Sequence, residues 1–308
     1  MEEQRLNFVR GLWRLADPRI TLASMSSLFL GACAARSVGS LDWGWLGLTV
    51  GGIASIEVAK NASGEVFDYD SGADLRVAPE DRSPFSGGKR VLVDGLLTRN
   101  QTVRIAVFFY SVGALIGLAI VCFREPGVLW IGLIGVACAY FYHAPPFNLS
   151  YRGLGELVVG ICYGPLISLG TYLVQQRALS MRLALLATPL GILIASFLWI
   201  NEFPDSTADK ASGKRTLVVR LGRPKAAVAL AFLVGASYIT LAVLPLFGLP
   251  RGVWLGALGL PLAAISVRRS SKHPEKTEYL ILAQALLLWA FVLCALGSGI
   301  GLLLSLRD

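Results

Sequence analysis

Apolar residues come in long blocks, separated by short polar breaks, along almost the whole chain. The blocks occupy 20–38, 43–62, 103–123, 127–142, 155–174, 183–200, 226–247, 252–267 and 279–305. Most approach the roughly 20 residues that a helix needs to cross a hydrocarbon core. The fourth and eighth are short, so their ends are soft. The pattern predicts an all-α integral membrane bundle of nine transmembrane helices, forming a single domain over 1–308. Connections on one side are short. On the other side two are long, about 63–102 and 201–225, and both are polar, charged and glycine-containing.

Charge gives this bundle an orientation. Hydrophobic residues make up 55% of the chain and charged ones only 16%, with a mean hydropathy of +0.62; a soluble domain of this length needs more polar surface. If the N-terminus is cytoplasmic, 22 of the 28 basic residues fall on the cytoplasmic side and 6 on the other. That split is what the positive-inside rule expects, and an odd span count puts the C-terminus outside. The net charge of +8 is thus a topology signal, and nucleic-acid binding is a poor second reading. Met1 to Asp17 lacks the pattern of a cleavable signal. Its Leu6, Phe8, Val9, Leu12 and Trp13 fit an amphipathic helix on the membrane surface. The five cysteines have unrelated spacings and read as buried thiols, with no disulfide or metal pattern.

Two acidic segments stand where apolar blocks run out. Residues 57–74 read EVAKNASGEVFDYDSGAD. Asn61, Glu65 and Asp68 lie at i, i+4 and i+7, one face of a helix. Asp70 falls off that face, and Asp74 follows Gly72, where the helix is expected to have opened into a loop. Residues 199–217 read WINEFPDSTADKASGKRTL. Asn201, Asp205 and Asp209 are again spaced four and four, Pro204 can kink the helix, and Lys214 and Arg215 come after Gly213. Such stripes are oxygen ligands suited to a hard divalent ion such as Mg²⁺, which often binds through a few carboxylates and substrate phosphates. For one acid alone a solvated helix end is the better reading. Two stripes on one membrane face point to two metal ions bridging a diphosphate.

These segments resemble the UbiA superfamily of intramembrane aromatic prenyltransferases. FDYDSGAD at 67–74, NEFPDSTADKASGKRTL at 201–217, YRGLGE at 151–156 and the pair Gly164–Pro165 look most like the branch that makes menaquinone from 1,4-dihydroxy-2-naphthoate. The first family cluster reads roughly Asn-Asp-x-x-Asp and then a further Asp. Asp68 and Asp74 match it, Glu65 replaces the first Asp, Gly64 stands where Asn is expected, and Asn61 can substitute one turn earlier. The second cluster matches at Asn201, Asp205 and Asp209. Many members carry a Lys after the fourth span; 143–150 has none, and Arg152 is the alternative. Arg19 stands where the family often has a base.

The resemblance implies an enzyme that uses two Mg²⁺ ions to ionise a polyprenyl diphosphate donor and joins the prenyl group to a small aromatic acceptor at the cytoplasmic side of the bilayer. The metal ligands are then Asn61, Glu65, Asp68, Asn201, Asp205 and Asp209. Asp68, Asp74 and Asp205 are the catalytic candidates, Asp74 for orienting or deprotonating the acceptor. Arg19, Arg82, Lys89, Arg90, Arg152, Lys214 and Arg215 are candidate diphosphate cations, although each also fits topological charge. Tyr140, Tyr142, Tyr163 and Phe197 are candidate cavity aromatics that would face an allylic cation. His143 and His273 receive no role. Benzoate, homogentisate, glycerol-phosphate and secondary-metabolite acceptors stay open. So do two other classes, a cation-coupled transporter and a membrane alcohol phosphotransferase.

Overall fold

Each apolar block folds as helix. In the computed structural model, which describes residues 2–305, α1 (Glu2–Ala16) leads into α2 (Pro18–Arg36), α3 (Trp43–Ser71), α4 (Arg99–Phe123) and α5 (Val128–Phe141). Then follow α6 (Gly155–Ile161), α7 (Ile167–Gln176), α8 (Met181–Ala211), α9 (Leu217–Leu221), α10 (Arg223–Val243), α11 (Leu260–Lys272) and α12 (Thr277–Leu304). No strand occurs among the described residues. Five stretches are long and apolar enough to cross a membrane: Arg99–Phe123, Gly155–Gln176, Met181–Ala211, Arg223–Phe247 and Thr277–Leu304. α5 is apolar but has only 14 residues. α2 and α3 dilute their apolar residues with small and polar ones and fall outside that set. The block at 252–267 is no single α-helix, because a 3-10 segment over Arg251–Gly259 precedes α11.

Local chemistry sets the boundaries. Asp42 accepts the Gly44 and Trp45 N–H groups at 3.1 and 3.2 Å and starts α3. Thr98 and Gln101 form a reciprocal capping box at the head of α4, satisfying donors a helix start leaves free. Pro165 has no N–H, and the chain from α6 to α7 widens there into a π turn at Cys162–Leu166. α3 runs on to Ser71 and α8 to Ala211. The acid-bearing starts of both long connections, 63–71 and 201–211, are therefore helical, as the spacing of the two acid stripes expects, and the connections proper begin later than 63 and 201.

Two packed cores result. The larger joins α2, α8, α10, α11 and α12 through residues such as Leu30, Leu190, Phe203, Leu230 and Phe291. The 3-10 segment lies so close to α12 that a side chain on Gly301 would strike the Gly252 carbonyl, the close backbone approach that small residues allow between membrane helices. The smaller core joins α1, α3, α4 and the 91–97 segment through Leu15, Val58, Val66, Val91, Leu97 and Ile105. α1 seals it with Leu15 and leaves Val9 and Trp13 exposed. Large apolar residues also face outward along α4 and α5, among them Phe108, Leu115, Trp130 and Leu133, as expected of helices bathed in lipid.

Candidate active site

The two cores meet at a cavity of about 210 Å³. Its first wall is the end of α3, where the 3.6-residue period stacks Asn61, Glu65 and Asp68 on one face. Gly72 ends the helix in the left-handed region, at φ 78°. There the Ala73 N–H returns to the Asp68 carbonyl at 2.9 Å, which swings Asp74 into the same cavity, buried. The opposite wall is the end of α8, with Asn201, Asp205 and Asp209. All six residues read as metal ligands, together with Asp74, thus line one space.

A turn at 83–92 roofs this space and is pinned by the acids themselves. The Gly87 N–H donates to Asp205 Oδ2 at 3.0 Å. The N–H groups of Lys89, Arg90 and Leu92 donate to the Glu65 carboxylate at 3.1–3.2 Å. Gly87 and Gly88 have φ of 84° and 73°, open to glycine at no steric penalty. A side chain on Gly88 would also collide with the Asp74 carboxylate. Glu65 is accordingly both a cavity acid and the anchor of the roof.

Polar partners hold the remaining acids. Asp68 accepts from the Tyr151 hydroxyl at 2.7 Å, and His143 Nε2 lies 3.5 Å from its other oxygen. Lys214 Nζ is 3.5 Å from Asp209 and sits over the Tyr151 ring, 5.2 Å from its centroid. Burial alone would lower the Lys214 pKa, but Asp209 and Asp68 raise it well above the ordinary lysine range. Asp74 goes the other way: burial first, then the neighbouring Asp68 and Glu65, lift its carboxyl well above the usual carboxylate value. Burial also pushes the Tyr151 phenol up, keeping it a donor. Asn61 gives its Nδ2–H to the Leu15 carbonyl at 2.8 Å, so its Oδ1 is the atom left to serve as a ligand. Along the cavity wall, Asp74 Oδ2, Asn201 Oδ1, Glu202 Oε2 and Asp205 Oδ1 are buried without a hydrogen-bond partner. Unpaired buried oxygens of this kind need a proton or a cation, and oxygen-only donors are what a hard divalent ion takes.

The structure separates the predicted bases. Lys89 and Lys214 line the cavity. Arg19, Arg82 and Arg90 do not; they line an adjoining basic cavity of about 410 Å³ on the far side of the 83–88 turn. There Arg19 pairs with Asp17 at 3.0 Å and Arg90 with Asp94 at 3.2 Å. Arg152 and Arg215 are exposed, the former bonded to the Pro146 carbonyl. Of the aromatics, Tyr142, Tyr163 and Phe197 line the cavity. Tyr140 is 42% exposed and packs edge-on to Phe67 and Tyr110, because two residues along a helix turn it roughly 200° from Tyr142. Asp70, off the acid face, is exposed and takes Arg99 at 2.8 Å. His143, left without a role by the sequence, and Tyr151, Lys60 and Glu202 are the cavity-side residues that sequence reasoning missed. A histidine closing the apolar block at 127–142 was the available signal for the first.

Comparison with known proteins follows this geometry. Residues 24–282 match the UbiA prenyltransferase family. The chain is 32% identical over 221 residues to the 2-carboxy-1,4-naphthoquinone phytyltransferase of Synechocystis, covering 71% of this chain and 68% of that one. It is 27% identical to the 1,4-dihydroxy-2-naphthoate octaprenyltransferase of Escherichia coli, covering 87% of each. The Bacillus subtilis protein of that same name is 26% identical, over 77% of this chain and 74% of its own. Among solved structures, a digeranylgeranylglyceryl phosphate synthase superposes with a TM-score of 0.65 at 17% identity, over 98% of this chain and 99% of that one. A UbiA homologue from Archaeoglobus fulgidus, bound to GPP and Mg²⁺, superposes with a TM-score of 0.60 at 16% identity, over 95% and 99%.

Proposed function

From the premise that this chain belongs to the UbiA prenyltransferase family, we propose that it moves a prenyl group from an isoprenoid diphosphate to a hydroxylated naphthoate-type acceptor at the cytoplasmic face of a bilayer. One observation carries the reading: two helix ends from two different cores turn their acid stripes into one cavity and leave buried oxygens there unpartnered. The relatives named for naphthoate substrates support the acceptor class. Nine spans with a cytoplasmic N-terminus are the topology that agrees with the basic residues.

Asn61 and Asp68 on one wall, and Asn201, Asp205 and Asp209 on the other, would hold two Mg²⁺ ions; Glu65 would join them while anchoring the roof. Bound there, Mg²⁺ supplies positive charge that neutralises a departing diphosphate. Lys89 and Lys214 add cations at the same end, and a fixed ammonium stabilises charge that grows on a leaving group. Tyr142, Tyr163 and Phe197 turn ring faces and edges toward the place where the allylic fragment becomes electron-poor, and they exclude water from it. Tyr151 and His143 orient Asp68. Asp74, buried in the cavity wall with Oδ2 free of any hydrogen bond, is the group placed to take the proton an acceptor hydroxyl or ring carbon loses.

The test is direct. Purified protein, Mg²⁺, a series of prenyl diphosphates and a panel of aromatic acceptors are incubated and analysed by mass spectrometry. A prenylated naphthoate product with release of one diphosphate is expected, and EDTA should abolish it. Full turnover in metal-free buffer, or no prenylation of any aromatic acceptor, would contradict the reading.

A further inference from the structure

The cavity holds a third lysine that the acid stripes do not explain. Lys60 lines it, as do the apolar Ile20, Ala23 and Ile194 and the ring of Tyr163. The other two lysines have partners: Lys89 pairs with Asp17, and Lys214 with Asp209. Among the described residues, no carboxylate oxygen comes within the 4.0 Å of a salt bridge to Lys60 Nζ. Glu57, one turn earlier on α3, is only 5% exposed, and neither of its oxygens has a hydrogen-bond partner. What Lys60 does meet is the Tyr163 ring, with Nζ 5.9 Å from its centroid. An ammonium set among apolar and aromatic groups in a membrane protein calls for an anion. A hydrocarbon prenyl tail offers none.

We propose that Lys60 is the anion anchor of the acceptor site, the residue that holds the carboxylate of the naphthoate-type acceptor. The inference rests on the aromatic-acceptor reading above and deepens it. Lys60 adjoins Asn61, the first residue of the acid stripe, in sequence, and both line the cavity. A carboxylate held by Lys60 brings its ring beside that of Tyr163, whose centroid is 5.9 Å from Nζ. This delivers a ring carbon to the donor's first carbon rather than to the tail. Lys60 is a specificity residue for the acceptor. It does not bind the diphosphate, for which Lys89 and Lys214 are the cations at hand.

A matched pair of acceptors tests this in the intact enzyme: 1,4-dihydroxy-2-naphthoate and 1,4-dihydroxynaphthalene, which lacks the carboxylate. Wild-type enzyme should prefer the carboxylated member by about tenfold or more in kcat/KM, as a hydrogen bond to a charged group implies. Lys60→Met, which keeps length and loses charge, should collapse that preference by raising the KM for the naphthoate while the KM for the donor stays within about twofold. Lys60→Arg should restore most of the preference. Equal use of both acceptors by wild-type enzyme overturns the inference alone, whatever the variants do. So does a Lys60→Met variant whose donor KM rises while its acceptor KM does not. Wild-type enzyme that prenylates neither acceptor, nor any other arene, overturns the aromatic-acceptor reading and this inference with it.

Discussion

Asp68 and Asp70 are chemically identical and two residues apart, yet they live in different worlds. Asp68 lines the cavity under Tyr151 and His143, and Asp70 lies outside it on Arg99. Asp68→Asn and Asp205→Asn should each lower turnover on the order of a hundredfold or more, since each removes a charge aimed at a metal–diphosphate complex. Asp70→Asn should leave the rate within about twofold, because an exposed ion pair contributes little. Initial rates on variants matched for expression and detergent-stable monodispersity decide the ranking. This contrast was legible in the sequence, because the spacing of 61, 65 and 68 fixes a helix face and 70 misses it. The partners were not legible. Tyr151 comes from a loop 83 residues away from Asp68, and no local pattern announces a contact made by tertiary folding.

The element that completes the site is the turn at 83–92. Its glycines are plain in the sequence as SGGKR, but their left-handed φ and the direction they give the flanking bases are not. That direction decides which cavity receives each side chain: Lys89 lines both the acid cavity and the adjoining one, whereas Arg82 and Arg90 line only the adjoining one. Gly88→Ala should lower activity on the order of tenfold or more, because the added methyl both strains a φ of 73° and meets Asp74. Far-ultraviolet circular dichroism should remain that of wild-type enzyme. A Gly88→Ala enzyme with normal rates would mean that the roof need not keep this shape during turnover. The helices themselves followed the hydrophobic blocks closely. The exception was 252–267, where close backbone packing of Gly252 against Gly301 accompanies a 3-10 start that apolar composition does not reveal.

At the scale of the whole molecule, the acids, the roof and the basic cavity gather at one end, and the proposed topology puts that end in the cytoplasm. Cysteines placed at Ala211 and Ala178, with the exposed Cys122 changed to Ser, test this in sealed vesicles. A membrane-impermeant maleimide should reach Ala211→Cys only from the cytoplasmic side and Ala178→Cys only from the other; the reverse labelling would invert the topology. The division of the molecule into two cores has a consequence for its mechanics. The α3 acids belong to the smaller core and the α8 acids to the larger. Without ligand, the two acid rows share one space with Lys214, whose charge is held by Asp209 and Asp68. A metal–diphosphate complex held by both rows would add a rivet between the two halves. Mg²⁺ with an unreactive diphosphate analogue should then raise the melting temperature of purified protein well beyond the sum of the two added singly, the linkage expected when a ligand binds only the closed native form. The substrate, in that sense, is a structural part of the enzyme for as long as it stays intact, and the reaction that consumes it also loosens the joint through which its products must leave.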